Sequence, residues 1–311
     1  MFKNTIMAKF EITLLGCGAA VPTQRHMTSA QLVNVDDRLF LVDCGEGTQT
    51  QVFKYGLKLT NLDAVFISHM HGDHFFGLLP LLSSLGLMFG RTADLHVYVP
   101  QEMLGPLQHD LDNYCHLPYK VVVHAVDTTN AGVLFENKTM TVESVPLDHR
   151  VPCMGFVFRE KPKANVLLPD MCRQYGIPYK EFGRIKDGAD YVMPDGHVVP
   201  NHVLTVPSGH VPRSYAYCSD TAYCPAIIPL VKGVDLLYHE ATFTRQDAAQ
   251  AEAAAHSTAE QAATVAKEAE VKQLVLGHYS IRYDNEDALL AEAVGVFPDT
   301  VAGQEGMVLK L

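Results

Sequence analysis

The chain has 311 residues, and its 48% hydrophobic and 19% charged content is typical of a globular enzyme and argues against a disordered chain. It contains no apolar run of about 18 residues, so we expect no membrane span. The net charge of −11 by itself disfavours a nucleic-acid partner, because phosphate contacts need clustered lysine and arginine. The seven cysteines are scattered and odd in number, which argues against a disulfide framework and predicts a reducing, cytoplasmic location. Residues 1–6 lack a signal-peptide pattern, and Met7 is an alternative start to Met1.

The first predicted elements are a strand at residues 10–15 and a hairpin formed by residues 31–35 and 38–42. Gly16 and Gly18 follow the first strand, but the third glycine and the long helix of a dinucleotide-binding fingerprint are missing. We therefore expect these glycines to allow a close backbone approach to the active site. Asp43 follows the hairpin. It either binds a metal or, in the interpretation we favour, accepts hydrogen bonds and orients a ligand.

Four side chains of metal-ligand type lie within six residues, between a predicted strand at 64–67 and a predicted helix at 75–87: His69, His71, Asp73 and His74. Imidazole nitrogens and carboxylate oxygens are ligands that zinc takes in proteins. His69 and His71 point the same way in an extended segment, because strand side chains alternate. Asp73 and His74 then face elsewhere, so this stretch predicts ligands for two different ions. The alternative is a loop of solvated histidines.

The middle of the chain predicts a mixed sheet packed by helices, with strands at 95–99, 119–126, 132–135, 139–147 and 153–158 and a helix at 101–114. Residues 159–210 break this pattern, since they are rich in proline, glycine and charge and have no long amphipathic element. Within them, residues 159–190 carry seven basic and five acidic side chains, a net charge of +2. We expect this insert to be functional or mobile, with a solvated excursion as the alternative.

Regular structure resumes after the insert, with predicted strands at 214–219, 235–239, 273–276 and 307–309 and helices at 221–231, 246–255 and 285–296. Ser257 and Glu260 predict a capping box for a further helix that runs to Ala269. That box would hold His256 just outside the helix N-terminus, beside a positive local dipole.

Four more ligand-type side chains, His149, Asp220, His239 and His278, lie at the C-terminal ends of predicted strands, where sheet enzymes build their sites. Together with the cluster at 69–74 they predict a dinuclear metal site. These motifs resemble the metallo-β-lactamase superfamily and, within it, the ribonuclease Z family of tRNA 3′-processing endonucleases. The segments that carry the resemblance are 15–19, 43–46, 68–74, 219–221, 239–243, 256–258 and 278–283.

The resemblance implies a four-layer αβ/βα sandwich in which residues 1–311 form one domain and residues 159–210 form an inserted arm that binds tRNA. It also implies two zinc ions per subunit. His69, His71 and His149 would bind one ion, Asp73, His74 and His278 the other, and Asp220 would bridge them. Such a pair would activate a water and neutralise charge on the phosphoryl oxygens.

The resemblance also assigns the proton transfers. Asp73 would take the proton of the nucleophile, while His256, oriented by Glu240, would protonate the leaving 3′-oxygen. Arg282 would contact a phosphate, and His239 would support the Glu240 segment without binding metal. The implied products are a tRNA with a free 3′-hydroxyl and a trailer with a 5′-phosphate.

The implied partner is precursor tRNA, and the protein is expected to be a cytoplasmic homodimer. In the arm, Lys180, Arg184 and Lys186 are the candidate tRNA contacts, although the arm lacks the Gly-Pro of the family and its charge is small. Ser219 replaces the glycine that usually precedes the ligand aspartate.

Two alternatives to this function stay open. A small-molecule phosphodiesterase, arylsulfatase or thioesterase of the same fold would share the metal site but would have no use for the arm. A non-catalytic metal-binding or RNA-binding protein would not need Asp73 or His256.

Overall fold

The computed structural model describes residues 9–311, so the two candidate start residues, Met1 and Met7, lie outside the described residues. The strands of the described part are β1 (Phe10–Gly16), β2 (Ala30–Val35), β3 (Arg38–Val42), β4 (Leu62–Phe66), β5 (Leu95–Pro100), β6 (Val121–Val126), β7 (Val133–Glu136), β8 (Met140–Leu147), β9 (Cys153–Glu160), β10 (Val166–Leu167), β11 (Tyr191–Val192), β12 (Val198–Val199), β13 (Thr205–Val206), β14 (Ser214–Cys218), β15 (Leu236–Glu240), β16 (Gln273–Gly277), β17 (Thr300–Ala302) and β18 (Val308–Lys310).

The helices are α1 (Thr48–Lys54), α2 (Gly72–Phe75), α3 (Leu78–Leu87), α4 (Leu104–Tyr114), α5 (Pro169–Gln174), α6 (Phe182–Lys186), α7 (Asn201–Leu204), α8 (Ala248–Ala254), α9 (Ala259–Glu268) and α10 (Asp287–Val296). Short 3-10 turns occupy Gln101–Met103, Tyr179–Glu181, Pro225–Ile227 and Arg245–Asp247. No helix within the described residues has the length and apolar character needed to cross a membrane.

Fourteen of the strands form two seven-stranded sheets, with the orders β18-β1-β2-β3-β4-β5-β6 and β17-β16-β15-β14-β9-β8-β7. In the first sheet β1 to β3 pair antiparallel, and β3 to β6 pair parallel. In the second sheet β14 to β17 are parallel. Because parallel strands end at the same edge of a sheet, the turns after β14, β15 and β16 lie side by side.

The two sheets face each other through a buried aromatic core. The ring of Phe66 on β4 lies 5.4 Å from that of Phe156 and 5.8 Å from that of Phe158 on β9, and Phe40 on β3 lies 5.8 Å from Phe158. Each such buried side chain contributes about 1.5–3 kcal/mol to stability. Helices α1, α3 and α4 pack on the first sheet, and α9 and α10 pack on the second. The predicted four-layer sandwich is confirmed.

The described residues divide into two compact units. The larger extends to Glu136 and includes Val142–Phe158 and Arg213–Leu311, and the smaller comprises Asn137–Thr141 and Arg159–Pro212. The smaller unit contains α5 to α7 and the two-stranded sheets β10–β13 and β11–β12. Its hydrophobic core consists of Cys172, Ile177, Ile185, Tyr191, Val199 and Leu204. The predicted insert at 159–210 therefore forms short helices and strands, while its role as an arm stays a prediction.

The helix predicted at residues 75–87 is interrupted, because α2 ends at Phe75 and α3 begins at Leu78. Gly77 lies between them, against the turn that follows β3. Its N–H donates to the carbonyl of Cys44, and an added Cβ would lie only 2.1 Å from the carbonyl oxygen of Gly45. This close approach to a distant part of the chain ends the helix, and no local pattern indicates it.

The prediction of a helix at residues 221–231 is wrong. In this part of the described chain only the 3-10 turn Pro225–Ile227 forms. Pro225 and Pro229 supply no N–H for a continuous helix. Thr221 is held by distant partners, since its hydroxyl accepts from the N–H of Asp148 and its own N–H donates to the Glu240 carboxylate.

The capping box of α9 begins one residue later than predicted. The hydroxyl of Thr258 accepts from the N–H of Gln261 at 3.2 Å, and the side-chain oxygen of Gln261 accepts from the N–H of Thr258 at 2.9 Å. Ser257 donates its hydroxyl hydrogen to the carbonyl of Thr221 at 2.8 Å. Ser257 therefore anchors the segment that follows His256, while Thr258 caps the helix.

We expect Thr258→Ala to lower the free energy of unfolding by about 1 kcal/mol, because the N–H of Gln261 loses its acceptor. Glu260→Ala is the matched control, since Glu260 belongs to the predicted box and lies outside the observed one. Urea unfolding followed by circular dichroism measures both changes. A loss in Glu260→Ala with none in Thr258→Ala would contradict the observed cap.

Candidate dinuclear metal centre

The first group of metal-ligand side chains consists of His69, His71, His149 and Asp220, whose ligand atoms all lie within 4.8 Å of one another. His71 Nδ1 lies 3.0 Å from His69 Nε2 and 3.3 Å from His149 Nε2. His69 and His71 occupy the extended turn between β4 and α2. Burial lowers the pKa of all three histidines, so their imidazoles are neutral near pH 7 and offer free lone pairs.

The second group consists of Asp73, His74 and His278. Asp73 Oδ2 lies 3.6 Å from His74 Nε2 and 3.5 Å from His278 Nε2. Asp73 and His74 belong to α2, and His278 follows β16 with a left-handed φ of 58°. Burial alone would raise the pKa of Asp73, but its hydrogen bond with His278 and the charges of both histidines hold that pKa below its usual range. The carboxylate is therefore ionised at neutral pH.

Asp220 lies between the two groups. Its Oδ2 is 3.5 Å from His69 Nε2 and 3.7 Å from His149 Nε2, while its Oδ1 is 3.2 Å from His74 Nε2 and 3.1 Å from His278 Nε2. Burial opposes ionisation, but His278, His74 and His69 hold the pKa of Asp220 well below its usual range. One ionised carboxylate thus presents one oxygen to each group.

The seven side chains offer five imidazole nitrogens and two carboxylates, a donor set that suits divalent cations of the zinc type. The Asp73 and Asp220 side chains are 11% and 3% exposed. A cation between the groups would offset these two desolvated charges. The residues therefore fit metal binding in two adjacent groups, and the assignment of each ligand stays a prediction.

Asp43 lies behind the second group. Its Oδ2 is 2.7 Å from His74 Nδ1 and accepts hydrogen bonds from the hydroxyls of Ser68 at 2.9 Å and Tyr217 at 2.6 Å. Its Oδ1 accepts from the Ser68 N–H at 2.7 Å. Such bonds fix the orientation of a ligand ring, which agrees with the favoured interpretation of Asp43. Tyr217 gave no sequence signal, because it is one apolar-looking residue of a buried strand.

Two more partners orient the histidine rings from behind. His149 Nδ1 donates to the carbonyl oxygen of Ala255 at 2.8 Å, and Ala255 has a left-handed φ of 55°. His278 Nδ1 lies 2.8 Å from the hydroxyl of Thr242, which donates to Glu240 Oε2 at 2.6 Å. Sequence reasoning missed both partners. Thr242 at least lies inside the 239–243 segment, whereas nothing local marks Ala255.

Glu240 and His256 form a buried pair beside the metal groups. Glu240 Oε1 lies 2.8 Å from His256 Nδ1, and His256 Nε2 lies 4.0 Å from Asp220 Oδ2. Burial would lower the pKa of His256, but the Glu240 carboxylate outweighs it and raises the pKa to about 9. His256 also lies within 4.8 Å of Asp220 and His278 at their ligand atoms, so it could act as a ligand or as an acid.

Other predicted site residues lie outside the metal-ligand groups. His239 Nδ1 donates to the carbonyl of Glu240 at 2.8 Å. The guanidinium of Arg282 lies 3.2 Å from Asp247 and 5.0 Å over the ring of Phe243. The phosphate contact that the resemblance implies for Arg282 stays a prediction, and Asp247 is the present partner of its guanidinium.

The three arm cations belong to the smaller unit. Lys180 and Lys186 are exposed, and Arg184 pairs with Glu181 at 3.0 Å. Because an exposed i,i+3 pair is weak, Arg184 can exchange this partner for a phosphate. Their role as tRNA contacts stays a prediction.

Residues 10–171 match the family model described as anti-Pycsar protein Apyc1, and residues 204–279 match a β-lactamase superfamily domain. The chain is 50% identical to the ribonuclease Z of Bacteroides fragilis over 98% of this chain and all of the relative. It is 46% identical to the ribonuclease Z of Porphyromonas gingivalis over the same shares.

Solved structures agree with the relatives. The short form of human tRNase Z superposes with a TM-score of 0.70 and 26% identity, covering 96% of this chain and 98% of that one. A diphosphatase of the PhnP family superposes with a TM-score of 0.63 at 18% identity, over 97% and 98% of the two chains, which shows the shared fold alone. Proteins with this fold thus catalyse different reactions, and the sequence identity decides among them. The family, fold and enzyme class predicted from the motifs are confirmed: the chain belongs to the ribonuclease Z family of the β-lactamase superfamily.

Proposed function

We propose that the chain is a zinc-dependent endoribonuclease that removes the 3′ trailer from precursor tRNA, leaving a 3′-hydroxyl on the tRNA and a 5′-phosphate on the trailer. The observation that carries this proposal is the 50% identity with a ribonuclease Z along the whole of both chains. The His256–Glu240 pair beside the metal-ligand groups supports it, because a metal-binding protein without catalysis has no need for a buried acid.

His69, His71 and His149 would hold one zinc ion and Asp73, His74 and His278 the second, with Asp220 between them. When bound, the two ions supply an activated water and positive charge opposite the phosphoryl oxygens. Two ions rather than one are supported by the two oxygens of Asp220, each of which faces its own set of histidines.

The chain itself supplies the proton transfers. Asp73 is ionised at neutral pH, so its carboxylate can accept the proton of the nucleophile. His256 is protonated below about pH 9, and its Nε2 lies on the side of Asp220, where a leaving 3′-oxygen would be protonated. Glu240 accepts from Nδ1 and keeps the other nitrogen pointed at the site.

We expect that replacing residues 163–210 by a short glycine–serine linker will abolish cleavage of precursor tRNA and spare hydrolysis of a small chromogenic phosphodiester. The smaller unit carries Lys180, Arg184 and Lys186, whereas the metal-ligand groups belong to the larger unit. Steady-state kinetics on both substrates measures the effect. Equal loss of both activities, or equal retention of both, would count against tRNA binding by the arm.

The protein is further proposed to be a cytoplasmic homodimer. Leu87 and Met88, at the C-terminal end of α3, are 86% and 65% exposed, and neighbouring apolar side chains that are both exposed are typical of a protein interface. All seven cysteines are free thiols, which suits a reducing compartment.

A further inference from the structure

Glu305 is a carboxylate outside the metal-ligand groups whose side chain is largely withdrawn from solvent. It lies in the turn between β17 and β18, and its side chain is 8% exposed. The turn is fixed on both sides, since the N–H of Gly303 donates to the carbonyl of Leu276 and the N–H of Gly306 donates to that of Leu14. A carboxylate withdrawn from solvent in a fixed turn is costly unless it accepts hydrogen bonds.

Those hydrogen bonds come from both ends of residues 17–27, here called the proximal loop. Glu305 Oε1 accepts from the N–H of Cys17 at 3.1 Å and from the N–H of Met27 at 2.9 Å, while Oε2 lies 3.0 Å from His26 Nδ1. The loop ends are also joined directly, because the N–H of Gly18 donates to the carbonyl of Met27 at 2.9 Å. The Glu305 side chain thus ties the two ends of the proximal loop together alongside this backbone bond.

The proximal loop reaches the second metal-ligand group. The N–H of Ala20 donates to Asp73 Oδ2 at 2.7 Å, and this is the oxygen that faces His278. Ala20 has a left-handed φ of 65°, a conformation that alanine holds only when its surroundings impose it. The N–H of the preceding residue, Ala19, donates to the carbonyl of Tyr279, which directly follows the ligand-type residue His278.

We infer that Glu305 is a positioning residue for Asp73: it ties the two ends of the proximal loop together, the loop holds the Ala20 N–H against the carboxylate, and this contact sets the metal affinity of the second group. The inference rests on the proposed zinc site. Hydrogen-bond partners of metal ligands typically change metal affinity by about 10–100-fold. Glu305 does not touch Asp73 itself and acts on it through two intervening contacts.

Zinc titration of the metal-free protein against a chelating dye tests the inference. We expect Glu305→Ala to weaken one of two zinc sites by about tenfold, the low end of the range for a direct partner of a ligand, and to leave the other unchanged. Glu305→Gln keeps an oxygen for both loop N–H groups and should restore the affinity to within a few-fold. Glu286→Ala is the matched control, because Glu286 contacts the side chains of His26 and Arg25 in the same loop.

Circular dichroism of the metal-free proteins separates this effect from unfolding. If Glu305→Ala does not fold, Glu305→Asp replaces it, since aspartate keeps the charge but draws the carboxylate back by one methylene. Two zinc sites of unchanged affinity in the Glu305 variants, or an equal loss in Glu286→Ala, would overturn the inference and leave the proposed function standing. A wild-type protein that binds fewer than two zinc ions would overturn both.

Discussion

Asp220→Ala should slow cleavage of precursor tRNA by at least about 10³-fold, because a metal site supplies several kcal/mol of charge stabilisation and each 1.36 kcal/mol corresponds to tenfold in rate. Asp220 presents one oxygen to each ligand group, so its loss weakens both at once. Zinc content should fall below two per chain. Single-turnover cleavage of a 3′-extended tRNA and metal analysis of the purified variant measure the two effects.

Ser219→Gly is the matched control for this variant. The hydroxyl of Ser219 donates to Asp220 Oδ1 at 2.9 Å, and glycine is the residue that the resemblance leads us to expect at this position. Losing one hydrogen bond to a carboxylate that keeps its other partners should cost less than about tenfold in rate. Full activity and two zinc ions in Asp220→Ala would show that Asp220 does not link the two groups.

His256→Ala should slow cleavage by about 10²–10⁴-fold, the usual contribution of a positioned general acid, and should leave the zinc content unchanged. The physical reason is that the two ring nitrogens have different roles. Nδ1 faces Glu240, which holds the ring protonated below about pH 9, and Nε2 faces the site. Rate and zinc content are measured on the same preparation.

His149→Ala is the comparison that distinguishes a histidine that binds metal from one that acts as a general acid. His149 is neutral and lies among the ligand atoms of the first group, so its loss should release zinc as well as activity. If His256→Ala releases zinc in the same way, then His256 is a ligand, and the acid role assigned to it is wrong.

Part of the candidate site could be anticipated from the sequence, because side chains at the ends of neighbouring strands follow a simple geometric rule. A side chain that follows a parallel strand lies at the same edge as its counterpart on the neighbouring strand. Asp220 after β14 and His278 after β16 obey this rule, and the structure brings them together, whereas His239, placed by the same rule on β15, lies outside the metal-ligand groups. The rule thus predicted that residues far apart in the sequence lie close together in the structure.

The supporting contacts could not be anticipated, because each depends on the packing of distant segments. Tyr217 is an unremarkable strand residue until its hydroxyl meets Asp43, and Ala20 contributes only a backbone N–H. The break at Gly77 likewise arises from the approach of Gly45. No periodicity or propensity carries this information.

The cap of α9 is an example of two local patterns of which the folded structure uses only one. Ser257 with Glu260 and Thr258 with Gln261 both satisfy the capping pattern, one residue apart. The hydroxyl of Ser257 is directed at the carbonyl of Thr221, and the hydroxyl of Thr258 accepts from the N–H of Gln261 and caps the helix. The pattern predicted the cap, and the tertiary structure selected its register.

Mapping the product ends of a 3′-extended tRNA transcript is the most direct test of the proposed activity. The proposed function predicts a zinc-dependent cut at the 3′ end of the tRNA, a free 3′-hydroxyl on that product and a 5′-phosphate on the trailer. Terminal labelling and sequencing of both products reads these ends. A 2′,3′-cyclic phosphate on the tRNA, or an uncut transcript under conditions where the protein hydrolyses a small phosphodiester, would contradict the proposal.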